Sequence, residues 1–260
     1  YMLLPRLAAL CEVQWCQPEV KNWDRFFDSA DEFCAIYDVM GYKYGKHIFD
    51  TKGDIKVNNE KGCVEVILDA QGETPIRYTT DGTEPTLESP LYTEPIEIRE
   101  SCTIMARSDK NGLTGRTFKK TFAAHKAMGR PVQTLTETHP NYTFTCPDLL
   151  TDGLVGEGPY NSGDFAGWYN QPFEAVIDMG GAAYSEVTLS TFVFKHDWVF
   201  QPENVKVLTS DDGENFTEVA HMDVTGIENI NDGNGAIDYT LQFPETSAKY
   251  LRVVSHPIAA

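Results

Sequence analysis

Trp168, Tyr169, His196 and Trp198 are the side chains of this sequence best suited to meeting a ligand, and all four stand in stretches that read as loops. Aromatic faces stack on the apolar faces of pyranose rings, and an imidazole can bond a hydroxyl, so the set reads as carbohydrate-binding. Packing is the competing use. Trp168 follows an Asp-Gly loop and can be buried beside it, and Trp198 sits in His196-Asp197-Trp198-Val199-Phe200-Gln201-Pro202, which can fold as a packed loop. No catalytic residue is assigned. Acidic residues such as Asp24 and Glu32 read as solvated helix faces. The six cysteines include no Cys-x-x-Cys spacing, so neither a zinc nor a thioredoxin signal exists.

The charge balance narrows the partners. With 39 acidic and 21 basic side chains the formal net charge is −18. That field repels nucleic acid, anionic membrane and highly sulfated glycans, and leaves neutral sugars unaffected. No apolar run reaches the length of a membrane span. The 260 residues, 41% of them hydrophobic, can hold two domains of ordinary size, or one domain plus pieces.

The elements that must position the candidate residues follow from periodicity. Residues 1–48 read as helical. Leu3, Leu4, Leu7 and Leu10 form one apolar stripe, with Pro5 tolerable only in a first turn or kink. A second helix starts after Asn22, a good N-cap, buries Phe26, Ala30, Phe33, Tyr37 and Met40, and ends at Gly41. Two such stripes cannot bury each other alone, which implies packing against a further body.

From about residue 50 to 125 the period becomes two. Strands are predicted at 55–58, 63–68, 76–80, 96–99, 103–108 and 117–123, forming a small immunoglobulin-like sandwich. Cys63 is out of phase with Val64, Val66 and Leu68, whereas Cys102 is in phase with Ile104 and Ala106. The two thiols thus point to opposite faces and are expected to be free rather than bridged. After a Gly/Pro linker at 126–131, strands are predicted at 131–136, 173–178, 186–194, 204–210, 217–220, 238–243 and 250–254, a second β domain. The fold expected is mainly β with an N-terminal helical segment.

Three strings carry a resemblance. Pro5-Arg6-Leu7-Ala8-Ala9-Leu10-Cys11-Glu12-Val13-Gln14-Trp15 resembles the last barrel helix of family 20 glycoside hydrolases, the β-N-acetylhexosaminidases. There Arg6, Glu12 and Trp15 read as an ion pair and a packing anchor rather than active-site groups. Tyr78-Thr79-Thr80-Asp81-Gly82-Thr83-Glu84-Pro85, closing at Ser89-Pro90-Leu91-Tyr92, resembles the chitobiase/hexosaminidase C-terminal β-domain. Leu149-Leu150-Thr151-Asp152-Gly153, Phe173-Glu174-Ala175-Val176-Ile177-Asp178 and Ser210-Asp211-Asp212-Gly213-Glu214-Asn215-Phe216 resemble the discoidin (F5/8 type C) jelly roll, shared by family 32 carbohydrate-binding modules.

The resemblance implies three domains: the last helices of a TIM barrel at 1–48, the β-sandwich at 49–125 and the jelly roll at 126–260. It also implies a chain cut at both ends, with a last jelly-roll strand missing. The parent is then an exo-acting hydrolase of terminal N-acetyl-β-hexosamine, working by a retaining, substrate-assisted mechanism. It is expected in the periplasm, at the cell surface or outside a bacterium. The catalytic Asp-Glu pair of the family falls outside these residues, so this chain alone is expected to be inactive. No cofactor is required. A structural calcium is implied for the jelly roll, with Asp152 as one ligand. The alternatives are an accessory carbohydrate-binding region for glycans ending in N-acetylhexosamine, or purely structural spacer domains.

Overall fold

The computed structural model describes residues 3–224 and 235–258. It is mainly β, with three short helices near the N-terminus. The chain divides into two compact units. One comprises Tyr1–Ile55, Val66–Ile96 and Cys102–Thr121, and the other Lys56–Glu65, Glu97–Ser101 and Phe122–Ala260.

Helix α1 spans Arg6–Trp15, α2 Trp23–Asp28 and α3 Ala30–Val39. Pro5 occupies the position before α1, where its missing N–H costs nothing. The Asn22 side chain accepts the Arg25 N–H at 2.9 Å and caps α2. Gly41, at φ +68°, closes α3. Its N–H donates to Asp38 O at 3.1 Å and that of Tyr42 to Tyr37 O at 2.9 Å, the paired bonds of a Schellman stop.

The single helix expected between those caps is interrupted at Ser29, whose hydroxyl donates to Arg25 O at 3.2 Å. The interruption changes which side chains face inward. Phe26, Phe27, Ala30 and Cys34 are buried, Phe33 and Tyr37 half-buried, and Met40, expected inside, is 55% exposed. The inner face of α3 runs through Ala30, Cys34 and Tyr37, and Met40 falls beside it in the closing turn.

Phe27 is the anchor of this region. It packs against Phe49 with ring centroids 5.9 Å apart. Lys110 Nζ lies 4.0 Å from the Phe27 ring centroid and donates to Phe27 O at 2.8 Å. Gly72 passes so close that a Cβ there would stand 2.3 Å from Phe27 Cδ1.

The middle strands are β1 Lys52–Asn58, β2 Cys63–Asp69, β3 Ile76–Thr79, β4 Ile96–Ile98, β5 Cys102–Ser108 and β6 Phe118–Phe122. They form two three-stranded sheets, β1-β2-β4 and β3-β5-β6. Val64, Val66 and Leu68 are buried, with Glu65 and Ile67 between them less so, whereas in β5 Ile104, Met105 and Ala106 are all buried. Cys63 is also buried, Cys102 half-buried, and neither is joined in a disulfide.

The remaining strands are β7 Val132–Thr134, β8 Phe173–Asp178, β9 Tyr184–Val193, β10 Pro202–Ser210, β11 Thr217–Asp223, β12 Gly235–Thr246 and β13 Tyr250–Pro257. Five of them make an antiparallel sheet in the order β11-β10-β13-β8-β7, and β12 pairs with β9 in a second. Val205 and Val207 of β10, Leu251 and Val253 of β13, and Tyr239, Leu241 and Phe243 of β12 meet in one core. Irregular chain from 135 to 172 joins β7 to β8 and carries two of the four candidate sugar-binding residues.

Candidate functional site

The sequence strings that look most distinctive are structural devices. In the Tyr78–Thr83 turn, Asp81 Oδ1 accepts the Thr83 N–H at 3.0 Å and the Thr83 hydroxyl at 2.6 Å, which holds its carboxyl below the usual range. Gly82, at φ +78°, donates to Thr103 O at 2.9 Å. The closing segment returns along β3, with Tyr92 N–H donating to Ile76 O at 2.8 Å and Tyr78 N–H to Pro90 O at 3.1 Å.

Asp212 does the same work between β10 and β11. One of its oxygens accepts Ser210 Oγ, Glu214 N and Asn215 N at 2.8–2.9 Å, and the other accepts Asn215 Nδ2 at 2.7 Å. These bonds, led by those from Asn215, hold its carboxyl far below the ordinary range.

Asp152 lies in a third such device. It is buried, and its Oδ1 accepts the Leu154 N–H at 2.8 Å, an Asx turn. Thr151, also buried, donates from its hydroxyl to Arg130 O at 3.1 Å, and Gly129 N–H donates to Thr151 O at 3.0 Å. Gly129 itself, at φ +73°, packs against the Gly62-Cys63 backbone so tightly that a Cβ would stand 2.5 Å from Cys63 N. The loop is therefore clamped at its base.

Oxygen donors suit calcium, but the fit here is thin: Asp152 joins no cluster of three metal-ligating side chains among the described residues. The cluster that does form is Cys63, Glu65 and Glu97. There Lys61 Nζ bridges Glu65 at 2.8 Å and Glu97 at 2.9 Å, so the carboxylates already have their cation.

From residue 122 onward, large exposed hydrophobic side chains gather on the loops between 135 and 200. Leu135, Phe144, Val155, Tyr169, Trp198 and Phe200 are the large exposed hydrophobic side chains described from residue 122 onward, and β10 to β13 carry none. Trp198 is 83% exposed and Tyr169 70%. Trp198 adopts φ +63°, Phe144 +44° and Asn170 +55°. A left-handed backbone costs a residue other than glycine about 1–3 kcal/mol, and such strain gathers at functional surfaces.

The four candidate residues separate into two kinds. Trp168 is half-buried, donates its indole N–H to Thr136 O at 3.4 Å, and meets the Phe173 ring edge-on at 4.8 Å. It is wall rather than contact surface. Tyr169, His196 and Trp198 are exposed. Tyr169 and His196 stand at the two ends of a run of rings: Tyr169 to His139 at 6.1 Å, His139 to Tyr142 at 5.4 Å, Tyr142 to Tyr160 at 5.8 Å, Tyr160 to Phe194 at 6.1 Å, and Phe194 to His196 at 6.2 Å. Trp198 closes the same turn as His196, its N–H donating to Lys195 O at 3.2 Å.

The Tyr160 hydroxyl donates to Asp197 at 2.7 Å, tying the 155–170 loop to that turn. This bond pushes the Tyr160 phenol up to about 12. His139, Tyr142 and Tyr160 have no sequence signal beyond density of rings in a loop rich in Gly, Asn and Ser, which carries no period, and Phe194 lies at the end of the strand expected at 186–194.

The helical region exposes Trp15, Trp23 and Tyr42 among mostly aliphatic side chains. A hollow of about 120 Å³ there is lined by Leu4, Pro5, Ala9, Trp23, Phe26 and Ile48, with Arg6, Gly45 and His47 at its sides and no carboxylate. Glu12 pairs with Arg25 of α2 rather than with Arg6 as expected, and this bond lowers the Glu12 carboxyl. Trp15 is 86% exposed and anchors nothing among the described residues.

Comparison with known proteins bears on these regions unequally. Residues 66–122 match the Fn3-associated family model. Over 43 residues, 16% of this chain, the sequence is 40% identical to a β-N-acetylhexosaminidase of Cellulomonas fimi, and the match spans 9% of that protein's length. The C-terminal domain of a chitobiase from Bacteroides fragilis aligns over 50% of this chain and 83% of its own, with 14% identity and a TM-score of 0.27, too low to carry an argument. No helix among the described residues is long and apolar enough to cross a membrane.

Proposed function

We propose that this chain is an accessory region of a bacterial glycoside hydrolase of the β-N-acetylhexosaminidase type, in which the loops at 135–200 hold a glycan while hydrolysis occurs elsewhere in a longer protein. The observation that carries the reading is the run of rings joined across those loops, flanked by exposed Tyr169 and by Trp198 on a left-handed backbone. Tyr169 and Trp198 would stack on sugar faces, His196 would bond a hydroxyl, and Trp168 would back the site. The sequence kinship to a hexosaminidase supports the substrate class, glycans with terminal N-acetylhexosamine.

The parent reaction would be substrate-assisted: the 2-acetamido oxygen of the sugar attacks its own anomeric carbon while a glutamate protonates the leaving oxygen. The catalytic pair of that reaction would lie elsewhere in the longer protein, and no catalytic role is assigned to this chain. The apolar outer face of α1 would be covered by the catalytic barrel. A calcium at the Asp152 loop would be structural, resting on backbone carbonyls and one carboxylate. Export to the periplasm, cell surface or medium belongs to the same reading.

Hydrolysis of a chromogenic N-acetyl-β-glucosaminide tests it. The purified 260-residue chain is expected to be inactive and to bind immobilised N-acetylglucosamine polymer. Turnover by this chain would overturn the reading, because the catalytic groups would then lie among residues here described as structural. A chain that neither turns over nor binds would favour the spacer alternative.

A further inference from the structure

We infer that the aromatic loops form a strip of consecutive subsites for a glycan chain, running from Tyr169 through His139, Tyr142 and Tyr160 to Phe194 and His196, rather than a pocket for one terminal sugar. The inference rests on the glycan-binding reading of the same loops and goes beyond it in the size of the ligand.

Four observations support it. The ring-to-ring steps lie between 5.4 and 6.2 Å, so the rings form one unbroken run rather than a lone platform, and His139, Tyr142, Tyr160 and Phe194 within it are half-buried and keep part of their surface open. Both ends are open: Tyr169 and His196 are exposed, and strongly exposed Trp198 closes the turn that carries His196, whereas a site for a single sugar needs only one such face. Polar groups are threaded between the rings. His139 Nδ1 accepts the Asn141 N–H at 3.2 Å, so its neutral ring carries the proton on Nε2, a donor for a sugar hydroxyl. The tie from Tyr160 to Asp197 fixes the two loops that supply the halves of the strip, which preorganises it. A chain of N-acetylated sugars, neutral and with alternating apolar faces and hydroxyls, matches this pattern.

Calorimetric titration of the 260-residue chain with β-1,4-linked N-acetylglucosamine oligomers, from the monosaccharide to the hexasaccharide, tests the strip. Affinity is expected to rise by about tenfold or more along the series and then level off. Tyr169→Ala and Trp198→Ala, at opposite ends and too exposed to disturb the fold, should each bring the plateau to a shorter oligomer with an unchanged melting temperature. A hexasaccharide bound no more tightly than the monosaccharide would overturn the strip while leaving a single-sugar site intact. Length dependence untouched by both variants would place the subsites elsewhere and equally overturn it. No binding of any oligomer would remove the glycan-binding reading, and the strip with it.

Discussion

Two regions of this molecule expose apolar side chains, and they do so in opposite chemical styles. On the helices, Leu3, Leu7, Leu10, Val13, Ile36 and Val39 face outward. Apart from Trp15, Trp23 and Tyr42 the exposed set there is aliphatic, and Glu12 is already paired with Arg25. On the loops at 135–200 the exposed set is mostly aromatic and is interleaved with imidazoles, phenols and Asp197. An aliphatic face offers shape and dryness but no directional bond, which suits another protein surface. Rings threaded with donors and acceptors suit a ligand that is itself apolar on its faces and hydroxylated at its edges. The same quantity, exposed carbon, therefore means different things in the two places.

The largest expected effect sharpens the helical half. Phe27→Ala removes the ring between Phe49 and Lys110 and should cost about 3–5 kcal/mol in denaturant unfolding. Leu10→Ser, on the outer face of α1, should change the stability of this chain by no more than about 0.5 kcal/mol. Equal losses would mean that the outer face is core, and the contrast between the regions would fail.

Next comes the base of the loops. Gly129→Ala places a Cβ against the Cys63 backbone at a positive φ and should cost about 2–3 kcal/mol, read from the same unfolding curves. The loop half is sharpened by Trp198→Ala, expected to leave the melting temperature unchanged while weakening binding to N-acetylglucosamine polymer by about tenfold.

A smaller effect is pH-dependent. The folded-state carboxyl of Asp212 is depressed, so its contribution is present above the ordinary carboxylate range and is lost as pH falls below it. Asp212→Ala should therefore lower the melting temperature at neutral pH and narrow its gap from wild type in acid. A gap that widens in acid would contradict the assignment.

Much of the scaffold was legible because it repeats. Period-two alternation marked the strands of the described residues within a few positions, and Asn22 and Gly41 marked helix ends by their capping chemistry. The inward face beyond Tyr37 was not legible, because the interruption at Ser29 rotates α3 and no Gly or Pro announces it. At the candidate site, exposed Tyr169, His196 and Trp198 were visible as ring-bearing loop residues. His139, Tyr142 and Tyr160 were not, since they meet through irregular chain, where neither periodicity nor spacing records which rings will touch. The Asp81, Asp152 and Asp212 turns, distinctive as strings, each spend a carboxylate on bonds to nearby backbone N–H groups.

The most direct test is an NMR titration that follows the four tryptophan indole N–H signals while a tri-N-acetylglucosamine oligomer is added. Trp198 should shift saturably, with Trp168 held by Thr136 moving little and the helical Trp15 and Trp23 not at all. A titration in which the Trp198 signal stays fixed, or in which Trp15 and Trp23 move instead, would contradict the assignment of glycan binding to the aromatic loops.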